Sequence, residues 1–344
     1  MQNKITKSGD LLNEKGELNE CGYATKLIKN YDRKKIKAKK SRIKEWDYYL
    51  IYNDKYAVAM TIDDNSYMGL DSISFIDFTE PTETTKSFMK FMTKGNKNFP
   101  ASSKTGDISV KEKNYSISFA NDGKTRILTA DIKNFQKGKD FSCEFFLTEE
   151  PKDSMVILTP FAEKKDHFYY NQKIVGFKVN GWVKIGEEEF KFDAKNTRGI
   201  LDWGRGVWTY KNTWYWGAGT GIVDGHEVGF NIGYGFGDTS SASENMVFYD
   251  GKAHKLEEVT FNIPKTKNGK DDFMSDWTFT SSDKRFEMKF KPIINRHSNA
   301  NVLVISSNQN QVFGKFSGKI TLDNGSVIQL KNFIGFAEKV INKW

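Results

Sequence analysis

Residues 198–217 read RGILDWGRGVWTYKNTWYWG and contain four of the chain's eight tryptophans within fourteen positions. Alternating aromatic and apolar residues on both sides of the YKN segment predict two strands joined by a short turn. Such a stretch forms either a packed aromatic core or the lining of a place where a ligand binds. The four tryptophans are Trp203, Trp208, Trp214 and Trp216.

Chain length and composition predict two β-rich domains. A chain of 344 residues is longer than one hydrophobic core usually supports. Aromatic residues make up 14% of it and prolines number six, a composition that favours strands. We expect an N-terminal domain over residues 1–180 that begins with a polar lead-in. A C-terminal domain over residues 181–344 would carry the aromatic stretch.

Short strands at regular spacing follow one another along most of the chain, as in WDYYLIY, YAVAMTI and SISFIDF. Because parallel strands need long crossovers that are usually helical, this spacing predicts antiparallel sheets or barrels. The segment TTKSFMKFMT at 84–93 fits a helix or an edge strand. The tripeptide DNG at 323–325 predicts a tight hairpin. The fold class is therefore all-β.

Several functional classes find no support in the sequence. No apolar run approaches the ~20 residues of a membrane helix, and the N-terminus MQNKITKSGD lacks a signal peptide's apolar segment, so we expect a cytoplasmic protein. Cys21 and Cys143 are too few for a disulfide framework, and no histidine or cysteine pattern indicates a metal or another cofactor. The G-x-S-x-G pattern of a hydrolase nucleophile is also missing.

The net charge of +8 has its densest source in KKIKAKKSRIK at 34–44. We interpret this segment as a solvated surface stretch, and we expect no nucleic-acid partner because acidic residues are interspersed through the rest of the chain. Binding of an anion or a membrane surface by the segment is the alternative. The oligomeric state is not predicted.

The segment GFNIGYGFGD at 229–238 places glycines on one face of a predicted strand and Phe230, Ile232, Tyr234 and Phe236 on the other. Glycines on one strand face leave a groove that something bulky must cover. Indole rings could cover it inside a solid barrel, or a ligand could occupy it.

Charged residues near the aromatic stretch are the first candidates for chemistry. A charge surrounded by aromatic rings must be paired or neutralised. We predict a buried pair between Asp202 and Arg205, or between Arg205 and Glu244. Either pair could be structural, or it could orient the polar end of an apolar ligand. His254 is a further candidate because it can titrate near neutral pH.

The chain resembles the bacterial domain-of-unknown-function family 2804 over nearly its whole length, most specifically in DWGRGVWTY and GYGFGD. That family is more distantly similar to double-barrel, calycin-like proteins of the hydroxyneurosporene synthase and carotenoid hydratase type. The resemblance implies two lipocalin-like antiparallel β-barrels packed side by side, with an apolar cavity. It supplies no established activity and no catalytic residue.

Two functions therefore remain open. The first is binding of an apolar small molecule, such as a lipid, an isoprenoid or an aromatic compound, in an aromatic-lined barrel cavity. The second is a hydratase, isomerase or cyclase that needs no cofactor and uses a buried carboxylic acid or a histidine as its general acid. The candidate catalytic residues are Asp202, Glu244 and His254. The candidate ligand-binding residues are Trp203, Arg205, Trp208, Trp214, Trp216, Asn231, Tyr234 and Asn245.

Overall fold

The computed structural model describes residues 2–302 and 305–343 and confirms the all-β fold class. Within these residues there is no α-helix, and the two short 3-10 turns are Arg33–Lys35 and Lys40–Arg42. The strands form two large, curled antiparallel sheets, which build two lipocalin-like barrels. None of the described segments forms a helix of the length and hydropathy needed to cross a membrane.

The first large sheet has 13 strands and ends at Val207. A separate two-stranded parallel sheet is formed by β1 (Gly9–Asp10) and β3 (Lys29–Asn30). The strands of the first large sheet are β2 (Gly22–Ala24), β4 (Ile43–Tyr52), β5 (Tyr56–Asp64), β6 (Met68–Asp77), β7 (Thr82–Phe91), β8 (Ile108–Lys111), β9 (Tyr115–Asn121), β10 (Arg126–Gln136), β11 (Lys139–Thr148), β12 (Met155–Phe161), β13 (Lys164–Ile185), β14 (Glu188–Phe192) and β15 (Arg198–Val207).

The second large sheet has nine strands and begins at Lys211. Its strands are β16 (Lys211–Val223), β17 (His226–Tyr234), β18 (Met246–Tyr249), β19 (Lys252–Lys255), β20 (Val259–Asn262), β21 (Trp277–Ser281), β22 (Phe286–Val302), β23 (Ile305–Thr321) and β24 (Val327–Lys343). The chain thus passes from one sheet to the other at residues 208–210. Position 180 lies inside β13, a first-sheet strand, and the assignment of two domains stays a prediction.

Strand β13 is 22 residues long and bends at Gly176. Its pairing with β15 shifts register between Val175 and Phe177, and Gly176 has a φ of +117°, a region open to glycine. The N-terminal part of β13 pairs with β12 and its C-terminal part with β11 and β14. The bend therefore lets one strand serve two regions of the sheet.

Some predictions for individual segments are confirmed by the structure and others are wrong. Segment 84–93 lies mostly in β7, an edge strand, so the helical alternative is wrong. The predicted hairpin at 323–325 joins β23 to β24, and Gly325 has a φ of +84°. The lead-in is more ordered than predicted, because Ile5 and Leu11 join the core of the first barrel. Lys44, at the end of the basic segment, is completely buried.

Three apolar clusters hold the molecule together. One fills the first barrel, with Tyr170, Phe177 and Trp203 among its members, and a second fills the other barrel around Trp277 and Phe316. The third cluster lies between the sheets and combines residues of both. Its members from the first sheet include Tyr48, Leu50, Met155, Tyr169 and Ile200, and those from the second include Trp216, Ala218, Met246, Phe313 and Phe336.

Polar contacts also join the two sheets. The Tyr52 hydroxyl on β4 donates to the Thr220 carbonyl on β16 at 3.0 Å and accepts from the Thr220 N–H at 2.6 Å. The Arg198 guanidinium on β15 makes a two-pronged contact with the Glu227 carboxylate on β17, at 2.7 and 2.9 Å. Arg198 is 2% exposed, so its charge depends on this partner.

Glu227→Gln should lower the free energy of unfolding by about 2 kcal/mol. The amide leaves the buried Arg198 charge without a carboxylate, a loss moderated by the partial exposure of Glu227. Chemical denaturation measures the change, and Glu187→Gln, at an exposed turn position, is the matched control. Equal stabilities of the two variants would show that the ion pair does not hold the sheets together.

Candidate functional site

A cavity of about 200 Å³ lies between the two sheets and is bounded by the apolar cluster that joins them. Its wall carries more charged residues than an apolar interface usually does. The charged residues that line it are Asp63, Lys173, Asp202, Glu244, Arg296 and Glu338. Sequence analysis placed the ligand cavity inside a barrel, and the structure corrects this position, because each barrel interior is packed with that barrel's own side chains.

Lys173 and Asp202 form a buried ion pair in the cavity wall. They are direct partners on the adjacent strands β13 and β15, and the Lys173 Nζ lies 2.8 Å from an Asp202 Oδ. The Asn171 amide donates to the other Asp202 oxygen at 2.6 Å. Lys173 also lies 3.7 Å from the centre of the Trp216 ring. The Asp202 charge is therefore matched within the protein, and so is that of Lys173.

Glu338 on β24 is held by two hydrogen bonds, one to each carboxylate oxygen. The Trp214 indole N–H donates to Oε1 and the Gln311 amide to Oε2, both at 3.0 Å. Burial raises the pKa of Glu338 to about 6, although these contacts and the nearby Lys173 act in the opposite direction. Glu338 consequently changes its charge in a range close to neutral pH.

Glu244 lies against the glycine strand β17. Its carboxylate occupies the space over Gly233, where a Cβ atom would come within 2.8 Å of Oε1. Asn231 donates to the Glu244 backbone carbonyl at 2.9 Å and approaches its carboxylate at 3.5 Å, while accepting from the Trp216 indole at 2.7 Å. Burial raises the pKa of Glu244, opposed by Lys173. The glycine groove thus holds a carboxylate at this point, where an indole or a ligand was expected.

Aromatic rings close another part of the cavity. The Trp46 and Tyr169 rings stack with their centres 6.1 Å apart, and the Trp208 ring contacts Trp46 edge-on with the ring centres 5.1 Å apart. Phe236 contacts Tyr169 and Trp208, each at 4.8 Å. Trp46 lies over Gly204, where any Cβ would overlap its ring. These contacts give the cavity a rigid aromatic wall.

The remaining wall is polar. Thr61 and Ser72 are partners on β5 and β6, and both line the cavity. Asp63 lies beyond Thr61 on β5 and accepts a hydrogen bond from the Leu70 N–H at 2.6 Å. Burial raises the pKa of Asp63 to about 7, against the attraction of Lys97. On the second sheet, Gln311 exchanges weak contacts of 3.3–3.4 Å with the Tyr48 hydroxyl.

Five candidates from the sequence analysis line this cavity: Asp202, Glu244, Trp208, Trp214 and Trp216. Neither predicted charge pair forms. Arg205 pairs with Asp47 at 2.9 Å, donates to backbone carbonyls, and lies against the Trp203 ring. Since adjacent strand residues face opposite sides, Trp203 and Arg205 point away from the face that Asp202 shares with the cavity. Trp203 packs into the core of the first barrel instead.

The other four candidates lie near the cavity or away from it. Asn231 does not line the cavity, but its side chain forms hydrogen bonds that orient two lining residues, Trp216 and Glu244. Asn245 accepts from the Gly233 N–H at 2.7 Å and donates to a backbone carbonyl. Tyr234 stacks on Tyr215 at 4.5 Å. His254, the predicted alternative acid, contacts Asp323 in the β23–β24 hairpin at 3.3 Å and does not line the cavity.

Sequence reasoning missed several residues of the wall, among them Trp46, Tyr169, Lys173, Arg296 and Glu338. One signal was available. In YYNQKIVGF at 169–177, alternation puts Tyr169, Asn171 and Lys173 on one face of a strand otherwise rich in apolar residues. A lysine on such a face needs a partner, and this requirement points to a buried charged site.

A metal centre is not evident in the described part of the chain. No group of three or more histidine, cysteine, aspartate or glutamate side chains within residues 2–302 and 305–343 is arranged to hold an ion. Cys21 and Cys143 are not joined to each other, and Cys143 is buried.

The structure thus consists of two lipocalin-like antiparallel barrels with a lined cavity between them. The chain belongs to the family described as domain of unknown function DUF2804, whose match spans residues 2–344. This confirms the resemblance inferred from the sequence motifs. No curated protein sequence matches the chain significantly.

Three solved structures are similar to this chain at low sequence identity. A candidate AttH of Nitrosomonas europaea is 12% identical, with 87% of this chain and 92% of that one covered and a TM-score of 0.53. Kievitone hydratase from Nectria haematococca is also 12% identical, covering 88% of each chain, with a TM-score of 0.47. CghA with Sch210972 is 8% identical, covering 87% of this chain and 88% of that one, with a TM-score of 0.44. The first of these supports the fold alone.

The indole N–H resonance of Trp214 should titrate with a midpoint near pH 6, where Glu338 changes charge. Below that pH the neutral acid accepts a weaker hydrogen bond, so the indole proton should move upfield. NMR of tryptophan-labelled protein measures the titration, and Trp214→Phe assigns the signal. Glu338→Gln should abolish the titration and Glu187→Gln should not. A midpoint near pH 6 that persists in Glu338→Gln would contradict the assignment.

Proposed function

We propose that this protein binds a largely apolar, unsaturated small molecule in the cavity between its sheets and transfers a proton to it from Glu244. The observation that carries the proposal is the position of a buried carboxyl group with a raised pKa beside a wall of aromatic rings. A carboxyl group of this kind stays protonated to higher pH than usual, as a general acid requires. Hydration, isomerisation and cyclisation of alkenes or enols all begin with such a transfer.

Glu244 is better suited to donate a proton than Asp202 and Glu338, two other carboxylates of the wall. Asp202 forms an ion pair with Lys173 at 2.8 Å. Both oxygens of Glu338 accept hydrogen bonds at 3.0 Å, which hold that carboxylate in place. The Glu244 carboxylate has a single long contact of 3.5 Å, with Asn231, among the described residues. Its proton is therefore the most available of the three.

Protonation of an alkene carbon by Glu244 converts the π bond into a new C–H bond and a carbocation at the neighbouring carbon. Faces of tryptophan and tyrosine rings stabilise a cation by their quadrupoles, by about 0.5–2 kcal/mol for each ring. The face of the Trp216 ring is already occupied by the Lys173 ammonium, which lies 3.7 Å from the ring centre. The rings of Trp46 and Tyr169 stack on each other in the cavity wall. Capture by water, with loss of one of its protons to the Glu244 carboxylate, gives an alcohol, and loss of a neighbouring C–H proton to that carboxylate gives an isomer. Attack by an internal alkene closes a ring and leaves a new cation, which is quenched by one of these two steps.

Binding without chemistry is the second candidate function. The aromatic wall and the cavity between the sheets support it without any role for Glu244. One observation distinguishes the two candidate functions. Only proton transfer attaches hydrogen from the solvent to a carbon atom of the ligand.

Glu244→Gln should reduce deuterium incorporation into an unsaturated substrate by a factor of 10² to 10⁴, the range typical of a lost general acid. The wild-type protein is incubated in D₂O with a panel of apolar alkenes and enol ethers, and mass spectrometry measures carbon-bound deuterium. Glu163→Gln, at an exposed position, is the matched control. Incorporation that is equal in Glu244→Gln and wild type would contradict proton donation by Glu244. A wild-type protein that binds the panel but incorporates no deuterium favours the binding function.

Thr61→Trp should prevent uptake of the neutral fluorescent probe phenylnaphthylamine. The added indole would fill part of a cavity of about 200 Å³ that Thr61 lines. Quenching of tryptophan fluorescence by the bound probe measures uptake. Thr82→Trp, on the exposed side of the edge strand β7, is the control that adds the same indole elsewhere. Wild-type uptake that survives Thr61→Trp would place the probe outside the cavity.

A further inference from the structure

Arg296 provides a cation in the cavity wall that forms no ion pair within the described part of the chain, although it lies close enough to lower the pKa of Glu338. It lies on β22 and reaches across to the first sheet, where its Nη1 donates to the Ser74 Oγ on β6 at 2.9 Å. A guanidinium has five N–H donors, and this hydrogen bond uses one of them. Among the residues that the structure describes, no carboxylate oxygen lies within 4.0 Å of it.

The other cation of the wall differs in this respect. Lys173 has Asp202 at 2.8 Å and the Trp216 ring at 3.7 Å, so its charge is matched within the protein. Three buried arginines elsewhere in the chain are matched as well: Arg198 pairs with Glu227, Arg205 with Asp47, and Arg126 with Glu150. A guanidinium at a cavity wall without such a partner has its donors available to a ligand.

The neighbours of Arg296 are polar and belong to the same part of the wall. Gln311 is its direct partner on β23, and the Gln311 side chain contacts the Tyr48 hydroxyl. Gln309 and Ser72 line the cavity too. Amide and hydroxyl groups of this kind can complete the hydrogen bonds of an oxyanion, while the aromatic rings that line the cavity accept an apolar body.

We propose that Arg296 binds the anionic group of the ligand, so that this site takes small molecules with an apolar, unsaturated body and a carboxylate or a similar oxyanion. The inference rests on the proposed function, because it assigns a class of ligand to the same cavity. A planar guanidinium suits a carboxylate through two parallel hydrogen bonds. The anionic end then lies at the polar wall and positions the rest of the molecule against the other lining residues.

A pair of probes with the same aromatic body separates the anion from the apolar part. Anilinonaphthalene sulfonate carries an anion, and phenylnaphthylamine lacks it. Arg296→Met should weaken binding of the sulfonate at least ten-fold and change binding of the neutral probe less than two-fold. Arg296→Lys keeps the charge and should retain most of the sulfonate affinity. Lys291→Met, an exposed lysine on the same strand, is the matched control and should alter neither affinity.

The possible outcomes distinguish a failure of this inference from a failure of the proposed function on which it rests. One outcome is that the neutral probe binds in the cavity while Arg296→Met weakens both probes equally or weakens neither. In that case Arg296 does not bind the anionic group, and the inference is overturned. If neither probe binds the wild-type protein, or if Thr61→Trp leaves both bound, the cavity is not the ligand site, and the proposed function fails together with the inference. Neutral-probe binding also verifies that Arg296→Met is folded.

The pH dependence of sulfonate binding tests the ligand-binding role of Arg296, because a purely structural role would not affect it. The charged groups of the wall are Asp63, Lys173, Asp202, Glu244, Arg296 and Glu338. As pH falls through the pKa values of Asp63, about 7, and Glu338, about 6, these carboxylates lose their charge while Arg296 keeps its own. Because Glu338 lies close enough to Arg296 for the guanidinium to lower its pKa, the charged carboxylate competes with an anionic ligand for Arg296. Sulfonate affinity should therefore rise several-fold from pH 8 to pH 5.5, and Arg296→Met should lose most of this rise. Equal pH dependence in wild type and variant would count against the inference.

Discussion

The apolar layer between the two sheets is the constraint on which the rest of the molecule depends. Rings and aliphatic chains from both sheets pack there, and water is largely excluded. A charge that faces such a layer loses its hydration, so it must find a partner or lose its charge. Lys173 and Asp202 pair with each other, burial shifts the pKa of Asp63, Glu244 and Glu338 toward the neutral form, and Arg296 keeps its charge without an ion pair.

The cavity therefore combines groups with different states in a small volume. Lys173 and Asp202 satisfy each other, whereas burial keeps the pKa of Glu244 and Glu338 above the ordinary value for glutamate. The raised pKa of Glu244 favours its protonated form beside the ion pair and the aromatic rings, and the proposed proton transfer to carbon depends on this environment. The same low polarity that raises these pKa values also strengthens the attraction between a cation of the wall and an anionic ligand.

The arrangement explains why the candidate site lies between the barrels. Each barrel interior is filled by its own aromatic side chains, with Trp203 in one and Trp277 in the other. The two curved sheets meet along faces that carry both polar and apolar residues, and a cavity remains between them. Gly204 and Gly233 shape the result, since the first leaves room for the Trp46 ring and the second for the Glu244 carboxylate.

Strand alternation and turn residues were sufficient for the all-β class, because they are local properties, and the two lipocalin-like barrels and the family followed from the resemblance carried by motifs such as DWGRGVWTY. The sequence also pointed to Asp202, Glu244 and the four clustered tryptophans as one site, and all of these except Trp203 line the cavity. It could not decide which strand faces meet, and a shift of one residue reverses the direction of every side chain on a strand. Arg205 was for this reason assigned to the cavity, although it lies on the opposite face of β15 with Asp47. The partners of buried charges, the position of the cavity and the presence of Arg296 in its wall were decided by tertiary structure, since these depend on contacts between residues far apart in the chain.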